Sequence, residues 1–261
     1  MAVPVADIEL VRHASRRLLR TADELTDDEV GEPCLLPGWS RAELLTHLAR
    51  NADGTRGMVE AAARNEVAPM YPGGPDRRAA DIAAGRGERA QVVVADLRHS
   101  IDALMETWQS LPPDAWDSVG RTLTADRTMR VMAWVRLREV EIHHADLDVD
   151  YAAADWPVAF VTRALAEAVR ELPARAVANR PAVDARYRLE ASDHGRAWTI
   201  ELAGNRVVVH EDDNGAADAT VAGWGCDLLA WLYGRTATGE SVTVGGADTR
   251  ALRLPTWFPY S

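Results

Sequence analysis

Glu139 and His143 stand four residues apart in the stretch Trp134-Val135-Arg136-Leu137-Arg138-Glu139-Val140-Glu141-Ile142-His143-His144-Ala145-Asp146-Leu147. On a helix that spacing brings both side chains to one point beside the axis. A carboxylate and an imidazole meeting there can share a divalent metal ion, or form a hydrogen-bonded structural pair in a helix core. The neighbours bear on the choice. With Glu139 at zero on a wheel of about 100° per residue, Met132, Val135, Ile142, His143 and Asp146 fall within roughly 60° of it. Met132, Val135 and Ile142 mark a buried stripe, and the polar residues sit within it. A carboxylate facing a core needs a partner, because losing its water is costly. A metal ion or a polar cavity is the usual resolution. Glu141 and His144 project from the far side of the wheel with Asp148, and are expected to face solvent.

A further histidine lies on another helix. Ser40-Arg41-Ala42-Glu43 is a capping box, in which the serine hydroxyl and the glutamate each satisfy a free N–H. It starts a helix over about 41–65. Leu44, His47, Leu48 and Asn51 share one face of that helix by their three- and four-residue spacing. His47 therefore points with Leu44 and Leu48 toward the core. A histidine in such a place is more often a hydrogen-bonded core residue than a metal ligand.

These side chains need elements to hold them. An amphipathic helix is expected over 5–25, marked by Ile8, Val11, Leu18, Leu19 and Leu25. Another runs over about 88–110 and ends before Pro112-Pro113. With the helices of His47 and Glu139 they make four, which suggests a bundle, an architecture whose interior often houses metal. Residues 66–87 break the helical pattern with Pro69, Pro72, Gly73, Gly74 and Pro75, and carry Arg77, Arg78 and Arg86. Long connections in compact domains are often functional. A polar link with Gly120 and Thr122 leads into the fourth helix.

The texture changes after Tyr151. A helix from Trp156-Pro157 to about 178 precedes short alternating runs at 187–190, 198–202 and 207–209, with Gly204-Asn205 as a hairpin turn. Residues 219–222 and 242–244 read as further strands. Residues 227–233 read as a helix stopped by Gly234. Two domains are expected, a helical bundle over 1–151 and an α+β domain over 152–261.

Composition narrows the partners. The chain has 261 residues and a net charge of −11. Without a dense basic cluster, it would repel nucleic acid and anionic lipid. No run of about 18 apolar residues offers a membrane span. The start, Met1-Ala2-Val3-Pro4-Val5-Ala6-Asp7, lacks the basic and apolar regions of a signal peptide. Cys34 and Cys226 are the two cysteines, which fits a reducing cytosol rather than a disulfide framework. Cys34 is expected to be a buried inert thiol rather than a nucleophile. Neither Gly73-Gly74 nor Gly245-Gly246 ends as a phosphate loop must, and no Gly-x-Ser-x-Gly elbow occurs.

Several of these motifs occur together in a known family. Leu36-Pro37-Gly38-Trp39-Ser40 heading the helix of His47, Arg138-Glu139-Val140-Glu141-Ile142-His143 with Asp146-Leu147, and Pro69-Met70-Tyr71 resemble the actinobacterial mycothiol-dependent maleylpyruvate isomerase family. Leu229-Ala230-Trp231-Leu232-Tyr233-Gly234-Arg235 resembles its second domain. The resemblance implies a DinB-like four-helix bundle followed by a sterol-carrier-protein-like α+β domain. It implies that His47, Glu139 and His143 hold zinc, or another divalent ion, with Asp146 behind His143. Arg235 matches a functional arginine of the family's second domain. Arg78 matches one of the first, although the loop is one residue longer here, so Arg77 competes for that place.

The activity implied is cis–trans isomerisation of maleylpyruvate to fumarylpyruvate in gentisate catabolism. A zinc-held mycothiol thiolate would add to the double bond, allow rotation and be eliminated. The two arginines would clamp the substrate's carboxylates, at a site between the domains. Mycothiol and a dicarboxylate keto acid are the implied partners, in a cytoplasmic protein for which monomer is the default. Two rival functions share these features. One is a mycothiol S-transferase acting on another electrophile, which keeps the metal without needing dicarboxylate recognition. The other is a non-catalytic carrier holding an apolar ligand in the second domain.

Overall fold

The structure is a computed structural model, and describes residues 3–213, 215–236 and 241–260. Met1 and Ala2 of the N-terminal stretch lie outside them. The chain divides into two compact units, Met1–Ala152 and Ala153–Ser261.

In the first unit, four long helices close a bundle: α1 (Val5–Asp23), α3 (Arg41–Ala63), α5 (Ala90–Ser110) and α6 (Met129–Asp146). Helix α1 packs against α5 and α6, and α3 packs against the same two. Leu18, Leu44, Leu48, Leu97, Leu104, Met132 and Val140 are buried in the core. A short helix, α2 (Asp27–Gly31), leads into the loop before α3. The capping box of α3 forms as its sequence requires: the Glu43 N–H donates to Ser40 Oγ and the Ser40 N–H to Glu43 Oε2 at 2.9 Å.

The connection over 66–87 departs from expectation. It contains a helix, α4 (Gly74–Ala83). The prolines and glycines that read as breakers start it instead. Gly73 takes φ 93°, a left-handed backbone that favours glycine, and Pro75 lies in the first turn, where its missing N–H costs nothing. The polar link before α6 is a hairpin of β1 (Val119–Arg121) and β2 (Asp126–Thr128). The Met70 N–H donates to Arg121 O at 2.8 Å, and the Arg121 N–H to Ala68 O at 3.1 Å. The loop that carries Tyr71 is thus tied to β1. It also presses on α3, since a Cβ placed on Gly54 would lie 2.4 Å from Met70 O.

The second unit is α+β. Its sheet has the order β5-β4-β3-β6-β7, with β3 (Ala185–Ala191), β4 (Arg196–Ala203), β5 (Arg206–Glu211), β6 (Ala219–Gly223) and β7 (Thr243–Gly246). Strands β3 to β5 form an antiparallel meander, β6 lies parallel to β3, and β7 antiparallel to β6. Gly204 and Asn205 are the turn between β4 and β5. Tyr187, Leu189, Trp198, Ile200 and Val221 are buried. Helices α7 (Val158–Arg170) and α9 (Gly225–Leu232) pack together, and α9 meets β6. Short helices α8 (Leu172–Arg175) and α10 (Leu254–Trp257) complete the unit. The helix expected to reach about 178 is broken at Glu171, with Pro173 in the turn that follows. Among the described residues, no helix is long and apolar enough to cross a membrane.

Candidate metal centre

Helix α3 carries His47 two turns beyond its cap, between Leu44 and Leu48, and the imidazole is buried. Helix α6 packs against α3 and presents Glu139 and His143 from successive turns. The three meet: His47 Nε2 lies 3.2 Å from Glu139 Oε2, and His143 Nε2 lies 3.7 Å from the same oxygen. The two imidazole rings stand edge to face, with centroids 4.9 Å apart. One donor atom from each residue lies within 4.8 Å of the others.

This donor set fits a metal ion. Two donors each about 2.1 Å from a tetrahedral zinc stand about 3.4 Å apart, and the observed 3.2 and 3.7 Å bracket that spacing. Two imidazoles and one carboxylate suit zinc and several other divalent ions. Three protein donors leave a fourth position, as in catalytic rather than structural zinc sites. Glu139 keeps 28% of its side-chain surface exposed, so the donor cluster is not sealed.

Protonation favours the same conclusion. Burial, with help from His143 and Arg78, pulls the His47 pKa down to about 4 against the pull of Glu139, leaving a neutral imidazole at pH 7. Burial alone would push the Glu139 carboxyl up. The His47 contact and the neighbouring His143 and Arg136 outweigh it and hold the group well below the usual carboxylate range. His143 Nδ1 meets Asp146 Oδ2 at 2.8 Å, and that carboxylate is fully buried. An acceptor there fixes the ring hydrogen on Nδ1 and leaves the Nε2 lone pair for a metal.

The loop before α3 supports this arrangement. Gly38 has φ 82°, and Trp39 places its ring edge-on to His47 with centroids 5.7 Å apart. The Leu35 N–H donates to Asp146 O at 2.9 Å. Arg41 donates through Nε to Leu147 O at 2.7 Å and through Nη2 to Asp148 O at 2.9 Å, so the start of α3 caps the end of α6.

The arginines take separate places. Arg78 Nη2 lies 3.1 Å from His47 Nδ1, and its guanidinium carbon lies 5.2 Å from the centre of the Tyr71 ring. Arg77 is largely exposed and bonded to Asp81 at 2.7 Å. Arg78, not Arg77, is therefore the one brought to the triad. Arg235 belongs to the second unit, just beyond α9, where its Nη1 donates to Tyr233 O at 2.8 Å.

Sequence reasoning missed Arg136. It is completely buried, and its Nη1 donates to Leu48 O at 3.0 Å and Asn51 Oδ1 at 2.8 Å. Burial pulls its pKa down to about 10, with Glu139 opposing. The cation stands behind Glu139, three residues earlier on the same helix; that spacing was the available signal.

The far side of α6 corrects another expectation. Glu141 and His144 turn away from the triad but do not face solvent; both are buried. Glu141 binds Arg17 and accepts from Tyr151 Oη at 2.6 Å. His144 Nε2 lies 2.9 Å from Thr21 Oγ1, and its ring stacks on Tyr151. Helix α1 covers this face, so α6 is buried on both sides. Asp148 alone of the three is exposed. Cys34 and Cys226 are half-buried free thiols, and burial pushes both thiols up.

Known proteins resemble the chain over nearly its full length. Residues 11–148 match the mycothiol maleylpyruvate isomerase N-terminal domain, and residues 155–253 match the MDMPI C-terminal domain. The sequence matches no curated protein. A solved structure of the mycothiol-dependent maleylpyruvate isomerase is similar at 23% identity and a TM-score of 0.78, covering 95% of this chain and 98% of that one. A mutant form of that isomerase is similar at 22% identity, with the same coverage and TM-score. At such identities the likeness establishes the fold, and the matching of both domain models establishes the lineage: the chain belongs to the mycothiol maleylpyruvate isomerase family.

Proposed function

We propose that the protein is a thiol-requiring cis–trans isomerase that converts maleylpyruvate to fumarylpyruvate, with mycothiol as cosubstrate and one zinc ion held by His47, Glu139 and His143. The observation that carries this reading is the meeting of two imidazole Nε2 atoms and one carboxylate oxygen inside the bundle. When bound, zinc with three protein donors supplies a positive centre and a fourth position at which a thiol gives up its proton.

The chain's own residues account for the rest. His143 is oriented by Asp146, which leaves its Nε2 ready as a donor, and the His47 imidazole is neutral. Glu139 is ionised, with Arg136 behind it. Both cysteines hold their protons more tightly than usual, which favours an external thiol. In the reaction the thiolate sulfur bonds to one alkene carbon, and the π pair moves onto the ketone as an enolate. The former double bond rotates. The enolate pair then returns and expels the thiolate, leaving the trans alkene, with no net oxidation or proton uptake. Arg78 is a planar guanidinium suited to a substrate carboxylate. Arg235 is assigned the second carboxylate on the family resemblance.

The test is to mix metal-analysed protein with maleylpyruvate, with and without mycothiol, and to identify the product by proton NMR. The trans alkene is expected only when thiol is present. Conversion at the same rate without thiol would overturn the mechanism. No conversion with the metal bound would move the reading to S-transfer on another electrophile. Arg235→Ala should slow conversion with metal content unchanged; unaltered kinetics would remove its role.

A further inference from the structure

The two imidazoles of the triad differ at their outer nitrogens. His143 Nδ1 faces the Asp146 carboxylate at 2.8 Å. An ionised carboxylate only accepts, so the ring hydrogen sits on Nδ1 and the lone pair on Nε2, facing Glu139. His47 Nδ1 faces Arg78 Nη2 at 3.1 Å. A guanidinium only donates. Here the lone pair is on Nδ1, and the hydrogen of the neutral ring is on Nε2, directed at Glu139 Oε2 at 3.2 Å. A neutral imidazole has one lone-pair nitrogen. Arg78 and a metal ion therefore require opposite tautomers of His47, although the ring carries the same number of protons in both.

We propose that Arg78 competes with the metal ion for His47, so that metal binding turns the Arg78 guanidinium off the imidazole and into the adjoining cleft, where it receives a carboxylate of the ligand. This inference rests on the metal reading of the triad. The surroundings of Arg78 support it. Its Nε is buried without a hydrogen-bond partner among the described residues, so the guanidinium is underused where it stands. The cleft it lines has a volume of about 320 Å³, with Arg50, Tyr71, Pro72 and Asp81 also on its wall. Gly57 adds open space, since a Cβ there would meet nothing within 4 Å. Arg78 needs only to swing within the wall it already forms.

A coupling follows. A carboxylate that holds Arg78 in the cleft removes the competitor for His47 and tightens metal binding. By linkage, the metal strengthens carboxylate binding by the same factor. Arg78 would then bind the ligand's carboxylate directly once the ion is held.

Two measurements test this on the full chain. The first is the long-range proton–nitrogen correlation spectrum of histidine-labelled protein, before and after one equivalent of zinc. His47 is expected to carry its hydrogen on Nε2 without zinc and on Nδ1 with it, while His143 carries it on Nδ1 throughout. A His47 hydrogen already on Nδ1 in the zinc-free protein would overturn the proposal. The second is zinc affinity by competition with a chromophoric chelator. Arg78→Met should bind zinc roughly tenfold more tightly than the parent, about one hydrogen bond to a charged group. Arg77→Met removes the same charge from the exposed side of α4 and should leave the affinity within about twofold. Equal gains in both variants would make the effect one of net charge and overturn the proposal, as would no gain in Arg78→Met. Zinc binding without the Arg78 effect would defeat this inference alone, whereas no zinc binding by the parent would defeat the metal reading as well.

Discussion

Replacing Asp146 isolates what holds the proposed metal ligands in place. Its Oδ2 lies 2.8 Å from His143 Nδ1, and the carboxylate is fully buried. It fixes both the tautomer and the direction of the ring. Outer-shell carboxylates of this kind contribute roughly 10- to 100-fold to metal affinity, or about 1.4 to 2.7 kcal/mol. Asp146→Ala removes the acceptor and the charge, and leaves a poorly solvated N–H behind; the upper end of that range is expected. Asp146→Asn keeps an amide oxygen as acceptor but loses the charge, so a loss near tenfold is expected. The assay is zinc competition against a chromophoric chelator, with thermal unfolding of the chelated protein measured in parallel to separate affinity from folding. Zinc affinities within twofold of the parent in both variants, with the fold intact, would refute the role given to Asp146.

Other consequences can be checked alongside. His47→Ala and His143→Ala should each lose the metal, whereas His144→Ala should retain it and lower stability by about 1–3 kcal/mol through the lost Thr21 bond and Tyr151 stacking; equal metal loss in all three would overturn the assignment of faces on α6. Gly54→Ala forces a methyl group to within 2.4 Å of Met70 O. The loop must shift, at a cost of about 1–3 kcal/mol in urea unfolding, and unchanged stability would contradict that close approach. Tyr187 donates to Asp248 at 2.8 Å, and burial first, then that bond, raises its pKa from 10.0 to about 12. The folded state keeps this proton longer than the unfolded state, so the stability it contributes is complete below pH 10 and lost as pH rises to 12. The urea midpoint of the parent should fall more steeply across that window than that of Tyr187→Phe; parallel curves would refute the assignment.

Much of the candidate site was legible because helical spacing is local. Glu139 and His143 meet because they are four apart, and the Ser40 capping box fixes where the helix of His47 begins. The same wheel failed for Glu141 and His144. A wheel sorts side chains into faces but does not say what covers each face. Two of the covering groups, Arg17 and Thr21, come from α1, more than a hundred residues away, and nothing local to α6 signals them. Helix α4 was hidden for a different reason. Gly73 and Pro75 read as breakers, yet a left-handed glycine before a helix and a proline in its first turn are starting signals. The choice between Arg77 and Arg78 needed coordinates too, because adjacent helical residues point about 100° apart and the sequence does not say which direction leads to His47.

The central claim is that the His47, Glu139 and His143 cluster binds the ion on which a thiol-dependent reaction turns. The most direct measurement is the rate of maleylpyruvate isomerisation at fixed mycothiol while zinc is titrated into chelated protein. The rate should rise linearly and level off at one equivalent, and Glu139→Ala should stay at baseline throughout. A full rate in the chelated protein, or in Glu139→Ala, would contradict the account.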